Sequence, residues 1–549
     1  MPAAFALRAN VINLFTNTIT PGTIHVADGS IQRMELSEVG PDPTLPYALP
    51  GFVDAHVHVE SSLLVPSEFA RLAVVHGTVA TVSDPHEIGN VLGVKGVEYM
   101  LASSNTVPFK FCFGAPSCVP ATPFETAGAT ITAADIEQLF QNPAVGYLAE
   151  MMNWPGVLHR DPLVMEKIAL AQRYNRPVDG HAPGLRGDDA RQYASAGIST
   201  DHECFTAEEA LDKLAVGMKV LIREGSAARN FEALIDLLPE HYEHLMFCSD
   251  DKHPDTLVLG HINQLVQRAV ARGQEVLKVL RVACLNPVLH YKLPVGLLRE
   301  GDPADFILVD NLQEFNVQRT YINGDVVAEN GQTRIPAAAV PVINNFHTDL
   351  VQATSFRLLA PAETATIRVI ECFDGQLITA RHDLAALVEQ GFVVPNLPTD
   401  VLKLTVVNRY AAAPPAVAFI KGFGLKHGAL ASSVGHDSHN ITAVGCDDES
   451  LARAVNLVMQ AKGGLAAVSA DGEELLLPLP VAGLMSDQDG YAVAEAYTAV
   501  DALAKKLGSP LAAPFMTLSF MALLVIPSLK LSDKGLFDGE AFQFVDAVV

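Results

Sequence analysis

Residues 51–62 read GFVDAHVHVESS. The apolar run Phe52 to Ala55 leads directly into His56-Val57-His58. Side chains alternate along an extended segment, so His56 and His58 share one face and can grip one cation together. Seven further short apolar runs follow: Thr78 to Ser83, Phe109 to Phe113, Val145 to Ala149, Val178 to Gly180, Ile198 to Thr200, Lys219 to Ile222 and Leu245 to Ser249. Helical patterns fit between them. Thr132 to Asp135 and Thr206 to Glu209 are capping-box patterns that open two of those helices. Eight strand–helix units in about 240 residues predict a (β/α)₈ TIM-type barrel over residues 49–290. The rival, a doubly wound open sheet, lacks a Gly-rich phosphate loop after its first strand.

In such a barrel the chemistry sits at the C-terminal ends of strands. Strand one ends in His56 and His58, strand two in Asp84-Pro85-His86-Glu87, and strand four in Glu150. Strand five ends in His181, strand six in Asp201-His202-Glu203, and strand eight in Asp250-Asp251. Six strands therefore deliver metal-type ligands to one rim, and the metal set is His56, His58, Glu150, His181, His202 and Asp250. Register alone chooses Asp250 over Asp251. Imidazoles suit first-row transition metals, carboxylates add hard oxygen donors, and a bridging carboxylate offsets the repulsion of two cations. Bound cations lower the pKa of water, so the set predicts a hydrolytic site with Asp250 as a proton carrier as well as a ligand.

The flanks differ in texture. Val11 to Phe15 and Thr23 to Val26, with Asp28-Gly29 as a hairpin turn, match Phe306 to Val309 and Tyr321 to Val327, with Asn323-Gly324 as another. Residues 1–48 and 291–345 are expected to form one small β domain. Residues 346–549 form an α+β domain, with an amphipathic helix over Glu449 to Lys462 ended by Gly463.

Composition excludes several classes. The chain has 549 residues, 37 basic and 62 acidic, for a net charge of −25. That length needs more than one core, and the acidic balance argues against nucleic-acid and anionic-membrane partners. Mean hydropathy is +0.24. Yet the longest apolar stretch, Phe520 to Ile526, stops at Pro527, well short of the roughly 20 residues of a spanning helix. Met1 to Asn10 lacks a basic-then-apolar leader. Seven scattered cysteines form no disulfide framework, so a cytoplasmic protein is expected. The paired His-x-Glu and Cys-x-x-Cys signature of the zinc deaminases that act on nucleic acids is absent, since no two cysteines stand three apart. The apolar, sparsely charged composition hints at a homo-oligomer, expected as a dimer.

The constellation resembles the amidohydrolase superfamily. Closer motifs resemble the adenine deaminase family: GFVDAHVHVESS itself, DPHEIGNVLG at 84–93, GHAPGL at 180–185, AGISTDHE at 196–203, REGSAARN at 223–230 and SDDKHPDTLVLGH at 249–261. GLLREGDPADFILVDN at 296–311 and GFGLKHGALASSVGHDSHNI at 422–441 extend the likeness over nearly the whole chain. One departure is Leu63-Leu64 after ESS, where a Met is common; only a packing change is expected. The resemblance implies hydrolytic deamination of adenine to hypoxanthine and ammonia, a step of purine salvage. It implies a two-metal site, manganese first with iron or zinc as alternatives. It also implies a metal-bridging Glu, a position that Glu150 in YLAEMMN fills. An N6-substituted adenine, another amino-purine or a cyclic amide is the alternative substrate.

Adenine C6 resists attack until N1 gains a proton or a strong hydrogen bond, and ammonia needs a proton to leave. Glu87, Glu60 and Asp84 are the candidates to protonate N1, and Glu87 or Asp84 can instead orient a metal ligand. Ser62, His86, Arg223, Glu224 and Ser226 are candidates to touch the purine, and a plain salt bridge between Arg223 and a neighbour is the equal alternative. The loop His436-Asp437-Ser438-His439 is a local turn or a cover over the barrel mouth, and the expectation is that His436 and His439 help close the site. His253 and His261 are expected at helix flanks or on the surface.

Overall fold

The computed structural model describes residues 4–37 and 39–549; residues 1–3 and 38 of the first flank lie outside the description. Eight parallel strands form the part that carries the site, and we label them in chain order. β1 is Phe52–Val57, β2 Thr78–Ser83, β3 Lys110–Ala115, β4 Val145–Met151 and β5 Val178–Gly180. β6 is Thr200–Asp201, β7 Lys219–Arg223 and β8 Leu245–Cys248. β1 to β5 make one parallel sheet and β6 to β8 a second. Together they form a curled parallel sheet, and helices lie between most consecutive strands. With helices outside and side chains filling the inside, β1, β2, β4 and β8 are buried at every residue. This explains why they read as continuous apolar runs rather than as alternating patterns. The apolar run places β6 at Ile198 to Thr200; the ordered strand is Thr200–Asp201, one residue further on and shorter.

Backbone bonds link the two sheets at both seams. Asp250 N donates to His56 O at 2.9 Å, His58 N donates to Asp250 O at 3.3 Å, and Ser199 N donates to Val178 O at 2.9 Å. At the β1–β8 seam a fully buried carboxylate reinforces the contact. Asp54 accepts from Ser249 N at 3.0 Å and from Ser249 Oγ, and lies 2.8 Å from His261 Nε2. The other nitrogen of His261 lies 2.8 Å from Thr78 Oγ1 on β2. His261 and His253 do flank helices, but they are buried rather than on the surface; His253 packs edge-on against Tyr497.

Both flanks of this region share one eight-stranded sheet. In spatial order its strands are Gln332–Thr333, Asp325–Glu329, Val317–Ile322, Phe306–Val309, Tyr47–Pro50, Phe5–Asn13, Thr18–Ala27 and Ser30–Leu36. Asp28-Gly29 and Asn323-Gly324 turn with positive φ at both residues, as the tight hairpins require. A second eight-stranded sheet occupies residues 366–478, and helix Asp448–Gln460 covers one face of it through Leu451, Val455 and Val458. Asp447 caps that helix by accepting from Ser450 N, and Gly463, with φ 127°, follows its end.

C-terminal segments then lock onto the parallel-strand region. Asn440 Nδ2 donates to Thr126 O at 2.9 Å, Asn345 Nδ2 to Val91 O at 3.0 Å, and Gly490 N to Glu68 Oε2 at 2.9 Å. Leu63 and Leu64 are fully buried, and Leu63 O accepts from Ser486 N, so these residues do serve packing. Among the described residues no helix is long and apolar enough to cross a membrane.

The seam gives a stability prediction. Asp54→Ala leaves His261 and Ser249 buried without their partner. It should cost about 3 kcal/mol in urea unfolding, whereas Asp54→Asn, which keeps an acceptor for Ser249 N, should cost about half as much. Equal, negligible losses in both variants would contradict the role given to this carboxylate.

Candidate active site

The C-terminal ends of the parallel strands open into one cavity, closed from the other side by C-terminal segments. Glu150, near the end of β4, stands at its centre. Its Oε2 lies 3.0 Å from His202 Nε2, 3.1 Å from His181 Nδ1 and 3.7 Å from His56 Nε2. Its Oε1 faces the other way, 3.7 Å from His58 Nε2 and 3.5 Å from His86 Nδ1. Asp250 Oδ1 completes the group, 3.2 Å from His58 Nε2 and 3.6 Å from His56 Nε2. The six residues picked from strand ends thus converge, with His86 as a seventh.

Local structure explains the convergence. His56 and His58 project from one face of the end of β1, as the period of two requires. His181 follows Gly180, where a Cβ would meet Thr200 O at 2.4 Å, so only glycine lets β5 approach β6 this closely. Asp250 sits in the left-handed region at φ 54°, which Asp tolerates better than bulky residues. That turn lets its peptide group bond on both sides of Val57 while its side chain enters the cavity.

The donor set fits a metal. His56 is wholly buried, yet neither ring nitrogen has a hydrogen-bond partner, an expensive arrangement unless an ion satisfies it. Donor atoms separated by 3.0–3.7 Å can each lie about 2.0–2.2 Å from a shared cation. Buried groups of His, Asp and Glu with this spacing include His56 with Glu150 and His202, and His56 with His58 and Asp250.

Around this set lies a tier of fixed charges. Burial works against ionised Glu150 and Asp250, but the neighbouring His181 and His202, and Arg223 respectively, hold both well below the ordinary carboxylate range. Arg223, at the end of β7, donates through NH1 to Asp250 Oδ2 at 2.6 Å and pairs with both oxygens of Glu203. Asp84 accepts from Glu150 N at 3.1 Å and His86 N at 3.0 Å. It is therefore a scaffold for two cluster residues rather than a cavity group. Burial, together with the charge of Asp250, raises Asp251, which accepts from Ser61 Oγ at 2.5 Å.

The loop Ser433–Asn440 does enter the site. His436 Nδ1 and His439 Nε2 each lie 2.5 Å from one oxygen of Glu87, and Asp437 Oδ1 is 3.4 Å from His86 Nε2. His436 and Asp437 line the cavity, while His439 lies one layer behind. Burial disfavours charged His436, but Glu87 and Asp251 outweigh it and hold the imidazole at about 10. Arg409, buried completely, donates to His439 O at 3.3 Å, and Tyr410 OH donates to Ser438 O at 2.6 Å; the two shape the loop.

Several candidates sit elsewhere than expected. Glu87 is clamped by two histidines, and Glu60, raised by burial to about 7, accepts from Ile88 N; neither lines the cavity. Ser62 Oγ is spent on Val59 O, Glu224 turns outward to Arg268 at 2.7 Å, and Ser226 Oγ bonds Thr256 Oγ1. Alternation along the segment after β7 carries Glu224 away from the side that Arg223 faces. His86 and Arg223 do line the cavity. Glu203, Asp251 and Asp437 line it too and escaped selection; each stands one residue after a chosen candidate, so only the register of the strand end or loop could have marked it.

The geometry defines a metal-dependent hydrolase site, and comparison with known proteins agrees on the class. A family model described as "Amidohydrolase family" matches residues 47–327, just over half the chain. Another, "Adenine deaminase C-terminal domain", matches residues 376–543. A protein of Salinibacter ruber named adenine deaminase is 57% identical, with all of both chains covered. One from Sulfurovum sp. is 53% identical over 98% of this chain and 99% of its own, and one from Methanosarcina mazei 51% over 96% of each. The chain belongs to the adenine deaminase family.

If Asp84 fixes the cluster by holding two backbone amides, Asp84→Asn should weaken divalent-metal affinity about 10–100-fold, read by competition with a chromophoric chelator. Unchanged affinity would remove that role.

Proposed function

We propose that this chain deaminates adenine hydrolytically, giving hypoxanthine and ammonia. The observation that carries the reading is end-to-end identity of 57% to a protein named adenine deaminase, with no part of either chain left over. The site is consistent with it: a buried cluster suited to activating water, charged groups that can move protons, and no basic surface demanded by the substrate. In this reading β1 to β8 form one closed (β/α)₈ barrel over residues 49–290. The flanks 1–48 and 291–345 form a β domain, and 346–549 the cover. The hydrogen bonds at the two seams between the parallel sheets support the closure.

His56, His58, Glu150, His181, His202 and Asp250 would hold two divalent cations, manganese by family likeness. Such ions supply a nucleophilic water at neutral pH by lowering its pKa. The protein's own groups then do the following. Asp250 is gripped at Oδ2 by Arg223, which leaves Oδ1 toward the cluster, placed to take a proton from the attacking water and deliver it to the departing amino nitrogen. His436 carries a proton that Glu87 holds at Nδ1, so Nε2–H can donate to a ring nitrogen and make C6 electrophilic. Glu87 thus acts through His436, while Glu60 accepts from Ile88 N and Ser62 donates to Val59 O, both serving the backbone. Glu203 keeps Arg223 oriented through two parallel bonds.

A manganese-loaded preparation should release ammonia from adenine. Turnover of an N6-substituted adenine or a cyclic amide with none of adenine would reverse the reading. His436→Gln should lower kcat about 100-fold while metal content stays at the native level. Native kcat in that variant would remove His436 from the proton path.

A further inference from the structure

The longest apolar stretch of the chain, Phe520 to Ile526, is neither a membrane span nor simply a core segment. Phe520, Leu523 and Val525 face the cavity above the cluster, and Leu377 and Met152 continue the same apolar surface. Ala228 closes one side. The same cavity is lined by the cation-binding and proton-carrying groups His58, Glu150, His181, His202, Asp250 and His436. We propose that Phe520, Leu523, Val525 and Leu377 form a roof, supplied by the C-terminal region, that holds the flat purine and sets which substituents the ring can carry.

The proposal rests on the adenine reading above and deepens it. A purine has an apolar face and a polar edge, and burial of the face against fixed hydrocarbon is what orders the edge toward the reacting groups. The roof is built for rigidity. Lys530, fully buried, donates from Nζ to Leu377 O at 2.5 Å and to Phe520 O at 3.0 Å, tying together the two segments that meet over the cavity. Burial pushes its ammonium down to about 7. Leu531 N donates to Met521 O at 3.0 Å and Leu523 N to Phe520 O at 3.2 Å, so the run folds back on itself. Phe520 stacks on His436, with ring centroids 5.3 Å apart and planes at 18°, so the roof also meets the loop that carries a proton to the ring. Leu377 and Ala228 line an adjoining outer cavity too, beside Phe205 and Ile378. The two cavities share Arg223, Ala228 and Leu377.

The test uses the full-length, manganese-loaded chain and two substrates, adenine and the bulkier purine-2,6-diamine. Leu523→Ala should raise KM for adenine about ten-fold and leave kcat within about three-fold. The same change should improve catalytic efficiency toward the diamine, relative to adenine, by about ten-fold. Leu523→Met should restore native values. Val525→Thr, which keeps the volume and adds a hydroxyl, should raise KM without changing the substrate ratio. It stands in if Leu523→Ala does not fold. Unchanged KM and an unchanged ratio in folded variants with native metal content would overturn the proposal, as would a fall in kcat alone. If the native chain releases no ammonia from adenine, the deaminase reading fails by itself. The roof is then read from adenine affinity by calorimetry in the same variants, where equal affinity overturns it.

Discussion

One carboxylate, that of Glu150, lies buried among five imidazoles, and much of the chain can be read as the means of keeping it there. A lone carboxylate at that depth would be neutralised at a large cost in free energy. It stays ionised because His181 and His202 lie against it, and His56, His58 and His86 approach the same two oxygens, the five converging from four strand ends. That convergence requires parallel strands to curl, so that residues distant in sequence meet at one rim. The apolar runs, the helices outside them and the buried Asp54–His261–Thr78 chain at the seam serve that curling. Charges around the cluster then pair in turn: Arg223 with Glu203 and Asp250, and Glu87 with His436 and His439.

The cover is as much a part of the site as the strands. A parallel-strand region alone would leave its rim facing water, where bound cations and proton carriers are screened and hydrated. C-terminal segments supply His436 and Asp437 at the polar edge and an apolar surface above it. The stretch Phe520 to Ile526, which accounts for part of the positive mean hydropathy, thereby finds its place over the reacting groups.

What sequence made legible follows from periodicity. Apolar runs with a polar ligand at the end mark a strand and its rim in one glance, so His56, His58, Glu150, His181, His202 and Asp250 were recoverable from order alone. Two hairpin turns, Asp28-Gly29 and Asn323-Gly324, were recoverable because their backbone needs positive φ. What escaped depends on contacts between distant segments. Glu87 reads equally as an acid facing substrate and as a group orienting a metal ligand, because nothing local reveals that His436 and His439, some 350 residues later, take both its oxygens. Glu203 and Asp251 were passed over because one residue of register separates them from His202 and Asp250. Arg409, wholly buried and shaping the loop, carries no motif at all. Glu224 and Ser226 were misjudged for the opposite reason: proximity in sequence to Arg223 does not survive the turn after a strand.

The central claim is a proposal: two divalent cations would share the cluster around Glu150, one held by His181 and His202 and one by His58 and Asp250. Anomalous diffraction at the manganese edge from crystals of the metal-loaded protein tests it directly. Two peaks flanking the Glu150 carboxylate, each within about 2.0–2.3 Å of the donor atoms of those residues, is the predicted result. A single peak remote from Glu150, or none in protein that carries bound manganese and releases ammonia from adenine, would contradict it.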